Sequence, residues 1–137
     1  MKLNTLVGLL ATAFAAPLAL ASQIVQRTGA TMLAQYANGR IERGAGRVAI
    51  ARTPAPVDQG VAAFKDAKHV ILIGAKVPAP MFGYPGKPDY LMQPGANLIE
   101  LAAPTDDLHE TLRELAARLR VGSAELESIL RLLESQM

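Results

Sequence analysis

The sequence predicts an α/β domain built on a three-layer, doubly wound and mostly parallel sheet. One observation is a run of four consecutive apolar residues, Val70, Ile71, Leu72 and Ile73. A strand made of them must be covered on both faces, which is typical of parallel sheets packed between helices. The other observation is that strand-like and helix-like segments alternate along the chain. Crossover helices are the normal connection between parallel neighbours, so this alternation predicts a parallel sheet.

Composition limits the chain to one domain and excludes several functions. Its 137 residues are half hydrophobic but only 4% aromatic, so Leu, Ile, Val and Ala must build the core. Fourteen basic and twelve acidic side chains are interspersed without a block of like charge, and we expect no nucleic acid partner. The chain has no cysteine, which excludes disulfides, thiolate catalysis and Cys-type metal sites and leaves its compartment open.

The amino-terminal segment supports more than one interpretation. Residues 3–26 carry no charge and follow a single Lys2. A secretory signal peptide has such a short basic start, and here it would continue with an apolar run over residues 6–20. Ala19 and Ala21 would then form the small-residue pattern before the cleavage site.

The same segment also fits a folded domain. Residues 5–10 would form a buried strand, and Pro17 would lie in the first turn of a helix that ends at Gly29. The proline and the many alanines weaken a third interpretation, a membrane span. The residues leave two interpretations open: a folded segment implies a cytoplasmic chain without a membrane partner, and a signal peptide implies export with loss of residues 1–21.

Further strands and a short helix are predicted in the middle of the chain. We expect strands at residues 30–35 and Asn97–Ala102, in addition to the apolar run described above. A polar loop occupies residues 36–53, and Pro56 begins the helix. The apolar residues of that helix recur at helical spacing: Val57, Val61 and Phe64.

Two helices are predicted after the last strand. Thr105 caps the first, and Asp106 and Asp107 lie near the positive end of its dipole. Its buried stripe consists of Leu108, Leu112, Leu115 and Leu119.

The predicted domain boundary lies between these two helices. Gly122 ends the first, so the α/β domain spans residues 1–122. Ser123 then caps an amphipathic helix over residues 123–137. Its apolar stripe consists of Leu126, Ile129, Leu130 and Leu133.

The loop between Gly74 and Gly95 is the predicted ligand site. In open parallel sheets, small molecules bind in the crevice beyond the carboxyl ends of the strands. A lysine there can meet an anion, and an aromatic ring can stack on a flat ligand such as an adenine or a flavin. The alternative is that the lysines are solvated and the aromatics pin a proline-stiffened loop to the sheet edge. The candidate binding residues are Gly74, Ala75, Lys76, Phe82, Tyr84 and Lys87.

Catalytic and metal-binding motifs are missing from the sequence. It contains neither G-x-G-x-x-G nor G-x-S-x-G, and we predict no catalytic residues. His69 and His109 are the only histidines, and we expect structural or solvated roles for both rather than a metal site. Asp106 and Asp107 are adjacent on a helix and point in different directions, so they are better explained by the helix dipole than as a catalytic pair.

Three motifs together resemble a known family. They are residues 38–47 (NGRIERGAGR), 71–76 (ILIGAK) and 82–88 (FGYPGKP). They resemble the central domain of thiamine-diphosphate-dependent enzymes, in particular the proteins of the acetolactate synthase large-subunit type. The resemblance extends over about residues 24–119 and implies a Rossmann-like fold. It fails in residues 1–22, where the Gly-Gly turn usual after the first strand is absent.

The resemblance implies a module that is not catalytic alone. Enzymes of this family combine an amino-terminal domain whose glutamate activates the cofactor, a central domain, and a carboxyl-terminal domain that holds diphosphate and magnesium. The Gly-Asp-Gly turn of that magnesium site is absent here. Thiamine diphosphate and magnesium would therefore belong to the complete enzyme, and the partners would be the two missing domains on other chains, or a second copy through self-association.

Two alternatives to this module remain open. Some central domains of the family hold FAD or ADP and many hold nothing, so the chain could be a free-standing FAD- or ADP-binding module. It could instead be an exported, degenerate relic of the family.

Overall fold

The computed structural model describes residues 5–9, 15–37, 41 and 43–119, and five strands and three helices lie within them. Among the described residues strands and helices alternate, except that β3 follows β2 directly and β5 follows β4 after a long loop. In chain order the elements are β1 (Thr5–Leu9), α1 (Ala15–Thr28), β2 (Thr31–Ala34), β3 (Ala51–Arg52), α2 (Val57–Phe64), β4 (His69–Ile73), β5 (Asn97–Ala102) and α3 (Leu108–Arg118).

The strands form one sheet in the order β3-β2-β1-β4-β5, and every adjacent pair is parallel. The first described strand, β1, lies in the centre of the sheet; β2 and β3 follow on one side of it, and β4 and β5 follow on the other. Leu6 of β1 is thus in register with Thr31 of β2 on one side and with Val70 of β4 on the other. This arrangement confirms the predicted α/β class.

The apolar strand β4 contributes to a separate core cluster on each face of the sheet. Val70 and Leu72 pack in one cluster with Phe64 of α2. Ile73 is buried in the other cluster, and the partly buried Ile71 packs against it. Alternate strand residues point to opposite faces, so the run of four apolar residues serves both clusters. The α1 and α3 residues of the second cluster are Ala21, Ile24, Leu108, Leu112 and Ala116.

The described parts of the amino-terminal segment, residues 5–9 and 15–26, belong to this fold. The strand β1 pairs with both β2 and β4, where the folded interpretation of the sequence places a strand. Helix α1 then ends at Gly29, whose φ of 71° is the left-handed conformation that glycine adopts readily. The Gly29 N–H donates to the carbonyl oxygen of Val25 at 2.9 Å, which closes the last helical turn. None of the helices in the described ranges is long and apolar enough to cross a membrane.

Two expectations about local structure are corrected. The predicted polar loop over residues 36–53 contains the two-residue strand β3, because the chain passes beside β2 at Leu33. Helix α3 is capped by Asp107 rather than Thr105, since the Asp107 carboxylate accepts from the Glu110 N–H at 3.0 Å. The Gly122 stop and the helix predicted over residues 123–137 lie outside the described residues, as do residues 38–40 and 42 of the first family motif.

Candidate functional site

A cavity of about 400 Å³ lies at the carboxyl ends of β2, β3 and β4. The residues that follow each of these strands line the cavity, because the carboxyl ends of parallel strands lie at the same edge of the sheet. Phe64 of α2 and Leu91 of the long loop also line the cavity. The lining after β2 is Gln35, Tyr36 and Ala37; after β3 it is Thr53, Pro54 and Ala55; after β4 it runs from Ala75 to Met81.

Backbone hydrogen bonds fix the β4 end of the wall. Gly74 has a φ of 64°, so the chain can turn directly after the strand. Its N–H donates to the carbonyl oxygen of Ala102 at 2.7 Å, which holds the turn against the end of β5. Two residues later, the Lys76 N–H donates to the Oε1 atom of Gln35 at 3.2 Å. The loops after β2 and β4 are therefore joined across the cavity rim.

Thr53 holds the part of the cavity wall that follows β3, and its side chain is buried. Its N–H and its hydroxyl both donate to the carbonyl oxygen of Ala34, at 2.8 Å and 3.0 Å. A buried hydroxyl without a partner would be destabilising, so this double contact explains why a threonine is tolerated there. It also fixes the chain after the short β3 beside the end of β2.

Leu91 brings the long loop back over α2. Only 3% of this residue is exposed, and its N–H donates to the carbonyl oxygen of Pro78 at 2.9 Å. A Cβ atom at Gly60 of α2 would lie 3.0 Å from both Cδ atoms of Leu91. Glycine at position 60 thus allows the loop to approach the helix closely and close that side of the cavity.

The six predicted binding residues do not form one group. Ala75 and Lys76 line the cavity, and Gly74 precedes them in the turn. Phe82 and Tyr84 are 62% and 46% exposed, and they pack edge to face with ring centroids 6.3 Å apart.

Lys87 is paired with α2 rather than placed in the cavity wall. Its Nζ atom lies 2.8 Å from the Oδ1 atom of Asp58, in the first turn of that helix. Both side chains are largely exposed, so the pair contributes little to stability. It nevertheless holds the loop near the helix.

The lining of the cavity contains few polar side chains. No aspartate, glutamate or histidine is among the described residues that line it. The polar groups are Gln35, Thr53, the Tyr36 phenol and the exposed ammonium of Lys76. Such a wall can accommodate a flat apolar group together with an anionic one.

The remaining titratable candidates lie elsewhere. His69 begins β4 and is 3.4 Å from the amide of Asn97, whereas His109 lies in the first turn of α3 near the other end of the sheet. Asp106 accepts from the Ala103 N–H at 2.7 Å, and Asp107 caps α3. Among residues 5–9, 15–37, 41 and 43–119, no group of three His, Asp or Glu side chains could hold a metal ion.

Three polar residues of the cavity were not predicted from the sequence. Gln35, Tyr36 and Thr53 follow β2 and β3 directly, and the rule about carboxyl ends of parallel strands applies to them as it does to Ala75. The signal was therefore present at β2, and it was hidden at β3 by the shortness of that strand.

Comparison with known proteins gives one partial similarity. No protein-family model and no solved structure matches the chain. Over 84 residues the chain is 38% identical to a Mycobacterium tuberculosis (strain H37Rv) protein provisionally named acetolactate synthase large subunit IlvX. The match covers 61% of this chain and 16% of that relative. The chain is thus similar to one limited part of a much longer protein.

Proposed function

We propose that this chain is a non-catalytic central-domain module, either a fragment or a split subunit, of a thiamine-diphosphate-dependent enzyme of the acetolactate synthase type. The observation that carries the proposal is the 38% identity over 84 residues to part of the mycobacterial protein. The three motifs described above lie in a chain of compatible α/β architecture. Magnesium binding, thiamine diphosphate and synthase or lyase chemistry would all belong to the complete enzyme.

The strand order supports the assignment to a Rossmann-like, three-layer fold. The order β3-β2-β1-β4-β5 reverses direction at β1, as in doubly wound sheets that bind ligands at this point. One core cluster contains residues of α1 and α3, and the other contains Phe64 of α2. We infer that helices cover both faces and that the α/β domain extends to residue 122.

The residues of this chain do not fit the catalytic cofactor. Mg²⁺ beside a diphosphate needs oxygen ligands, usually carboxylates, and the described lining of the cavity offers none. Thiamine diphosphate supplies the electron sink of such reactions, and the protein must hold it and move protons. The contribution of this chain would be to position other domains that do so.

The edge of the sheet offers a surface for such a neighbour or for a second copy. Within the described chain β5 is the last strand of the sheet, with one side unpaired. Leu98, Ile99 and Leu101 of this strand are 37% to 40% exposed, although they are apolar. Exposed apolar strands at a sheet edge favour association.

Co-purification tests the subunit proposal. Reading frames beside the gene that encode the amino- and carboxyl-terminal domains would be co-expressed with the tagged full chain. We expect a stable complex that contains all three parts. The proposal is wrong if the neighbouring frames encode no such domains, or if they assemble with one another and exclude this chain.

A second candidate function is the binding of FAD or ADP in the cavity. Its volume lies within the range of about 300–1,000 Å³ that is usual for ligand sites. Lys76 can meet a phosphate and Tyr36 can stack on a ring, while the exposed Phe82 and Tyr84 remain candidates for stacking at the loop surface.

Thermal unfolding distinguishes this candidate from the first. A ligand at 100 times its Kd stabilises the native state by about 2.7 kcal/mol, so millimolar ADP or FAD would raise Tm by several degrees. Lys76→Met would reduce the shift, whereas Lys65→Met, which lies before β4 and outside the cavity lining, would leave it unchanged. An unchanged Tm in the wild-type chain would exclude the nucleotide site.

A third candidate is an exported relic of the family, in which residues 1–21 are cleaved. Cleavage would remove β1 and the first part of α1, and β1 pairs with both of its neighbours. We therefore favour a cytoplasmic chain that retains this segment. Mass spectrometry of the mature chain tests whether the segment is retained. A mass equal to that of a chain beginning at residue 22 would support export instead.

A further inference from the structure

An apolar groove lies on the face of the sheet that carries α1 and α3. Its volume is about 350 Å³, and it reaches the start of β4. Thr28 and His69 are the polar residues among its described lining, and aliphatic side chains form the rest. Representative apolar lining residues are Ile24 and Val25 of α1, Ile71 of β4, Ile99 of β5, and Leu115 and Leu119 at the end of α3.

A polar surface cavity adjoins this groove at the amino-terminal ends of β4 and β5. Its volume is about 760 Å³, and its described lining consists of residues 65–69 and 93–97. His69 lines both the groove and the polar cavity, so the two meet at this residue. The His69 Nδ1 atom also lies 3.4 Å from the Nδ2 atom of Asn97 on the neighbouring strand. One molecule can therefore contact both cavities.

The pairing of β4 with β5 places the change from polar to apolar at the same step along both strands. His69 is in register with Asn97, and Ile71 is in register with Ile99. Residues two apart in a strand lie on the same face, about 7 Å from each other. One row of side chains on this face is thus polar, and the next row is aliphatic. Such a boundary fits a molecule whose polar head is joined directly to an apolar chain.

The charges near this boundary favour an anionic head group. Lys65 and Lys68 line the polar cavity, and Asp66 is the acidic side chain among its described lining. The last turns of α1 and α3, which lie at the same end of the sheet, carry Arg27 and Arg118. Each carboxyl end of a helix has about half a negative charge, so the helix ends offset only part of this basic excess.

We propose that the apolar groove binds the alkyl chain of a fatty carboxylate whose head group lies beside His69 and Asn97. Both side chains can donate hydrogen bonds to the carboxylate oxygens. The groove lies at the lower end of the range of about 300–1,000 Å³ that is usual for ligand sites, so the occupant has a single chain. The site lies at the opposite end of the strands from the nucleotide candidate, and it does not depend on assembly with other domains.

Isothermal titration calorimetry of the full chain tests the ligand chemistry. The probes are octanoate, decanoate and dodecanoate, each below its micelle concentration, with decanol and decyltrimethylammonium as controls for the head group. We expect the affinity to rise about fourfold for each added methylene, because each is transferred from water to an apolar wall. Decanoate should bind at least tenfold more tightly than decyltrimethylammonium. No binding of decanoate at millimolar concentration, or equal affinities for the three ten-carbon probes, would overturn the proposal.

A pair of substitutions in β5 tests the place of binding. Ile99→Trp would fill the groove, whereas Leu98→Trp adds the same side chain at the preceding residue, which is outside the groove lining. The two residues are similarly exposed, at 40% and 37%. We expect Ile99→Trp to weaken decanoate binding at least tenfold and Leu98→Trp to change it less than twofold. Equal effects of the two substitutions in folded variants, checked by circular dichroism, would contradict the assignment.

A pair of histidine substitutions tests the head-group contact and does not require a larger side chain in the groove. His69→Leu should weaken decanoate binding about fivefold and leave decanol binding unchanged, because only the carboxylate loses a hydrogen-bond donor. His109→Leu, outside the linings of both cavities, should change neither affinity. Unchanged decanoate binding in His69→Leu, or an equal loss for decanoate and decanol, would overturn the proposed orientation.

Discussion

Two of the cavities lined by the described residues have similar volumes but different chemistry. The one at the carboxyl ends of the strands, about 400 Å³, is lined by loops and presents Gln35, Thr53 and Lys76. The groove at the opposite end, about 350 Å³, is lined by helices and strands and is almost wholly aliphatic. Volume alone would not distinguish them. The polar groups of the first can donate or accept hydrogen bonds, whereas the second offers apolar contacts.

The difference follows from how each wall is made. Loops bring backbone and polar side chains to a surface, and here the Gln35 side chain connects two of them. Helices instead present their apolar stripes to the sheet. A domain with both features can bind a polar group at one end and an apolar group at the other.

Removal of residues 1–21 has the largest expected effect, because it abolishes both cavities. The deletion takes β1 from between β2 and β4, and a parallel sheet interrupted at its centre cannot close its core. We expect no cooperative unfolding transition by circular dichroism. The control is the full chain, prepared with the same purification tag as the shortened chain. A cooperative transition in the shortened chain would show that β1 is dispensable.

Phe64→Ala should alter the carboxyl-end cavity and lower the free energy of unfolding. Phe64 is 1% exposed and lines that cavity, so truncation should reduce the free energy of unfolding by about 3–5 kcal/mol. The matched control, Phe82→Ala, changes a residue that is 62% exposed and should cost less than about 1 kcal/mol. Urea denaturation measures both, and similar losses would mean that the exposed aromatics support the fold.

Asp107→Ala should destabilise α3, which lines the apolar groove. Loss of the bond from the Glu110 N–H should cost about 0.5–2 kcal/mol. Thr105→Ala, at the cap predicted from sequence, should change the free energy of unfolding by less than about 0.5 kcal/mol. If urea denaturation gave the larger loss for Thr105→Ala, the helix would begin earlier than the structure places it.

The sequence was sufficient for the elements whose signals are local. The four apolar residues of β4, the Pro56 start of α2 and the Gly29 end of α1 each follow from backbone or burial preferences of nearby residues. The strand β5, Asn97–Ala102, was also placed correctly. These signals do not depend on which segments meet in space.

Features that depend on distant partners could not be predicted. The strand β3 has only two residues and exists because Leu33 lies beside Ala51. Thr105, Asp106 and Asp107 are all capable caps, and the end of β5 decides which one is used. Lys87 contacts Asp58 of α2, 29 residues away in sequence, and no residue near Lys87 in the sequence indicates this partner.

The central claim is that this chain supports catalysis by other domains and does not catalyse alone. The most direct test is acetolactate formation with thiamine diphosphate and Mg²⁺, measured for the full chain alone and with the amino- and carboxyl-terminal domains from neighbouring reading frames. We predict no activity for the chain alone, and activity of the mixture that requires this chain. Activity of the isolated chain, or equal activity of the other domains without it, would contradict the account.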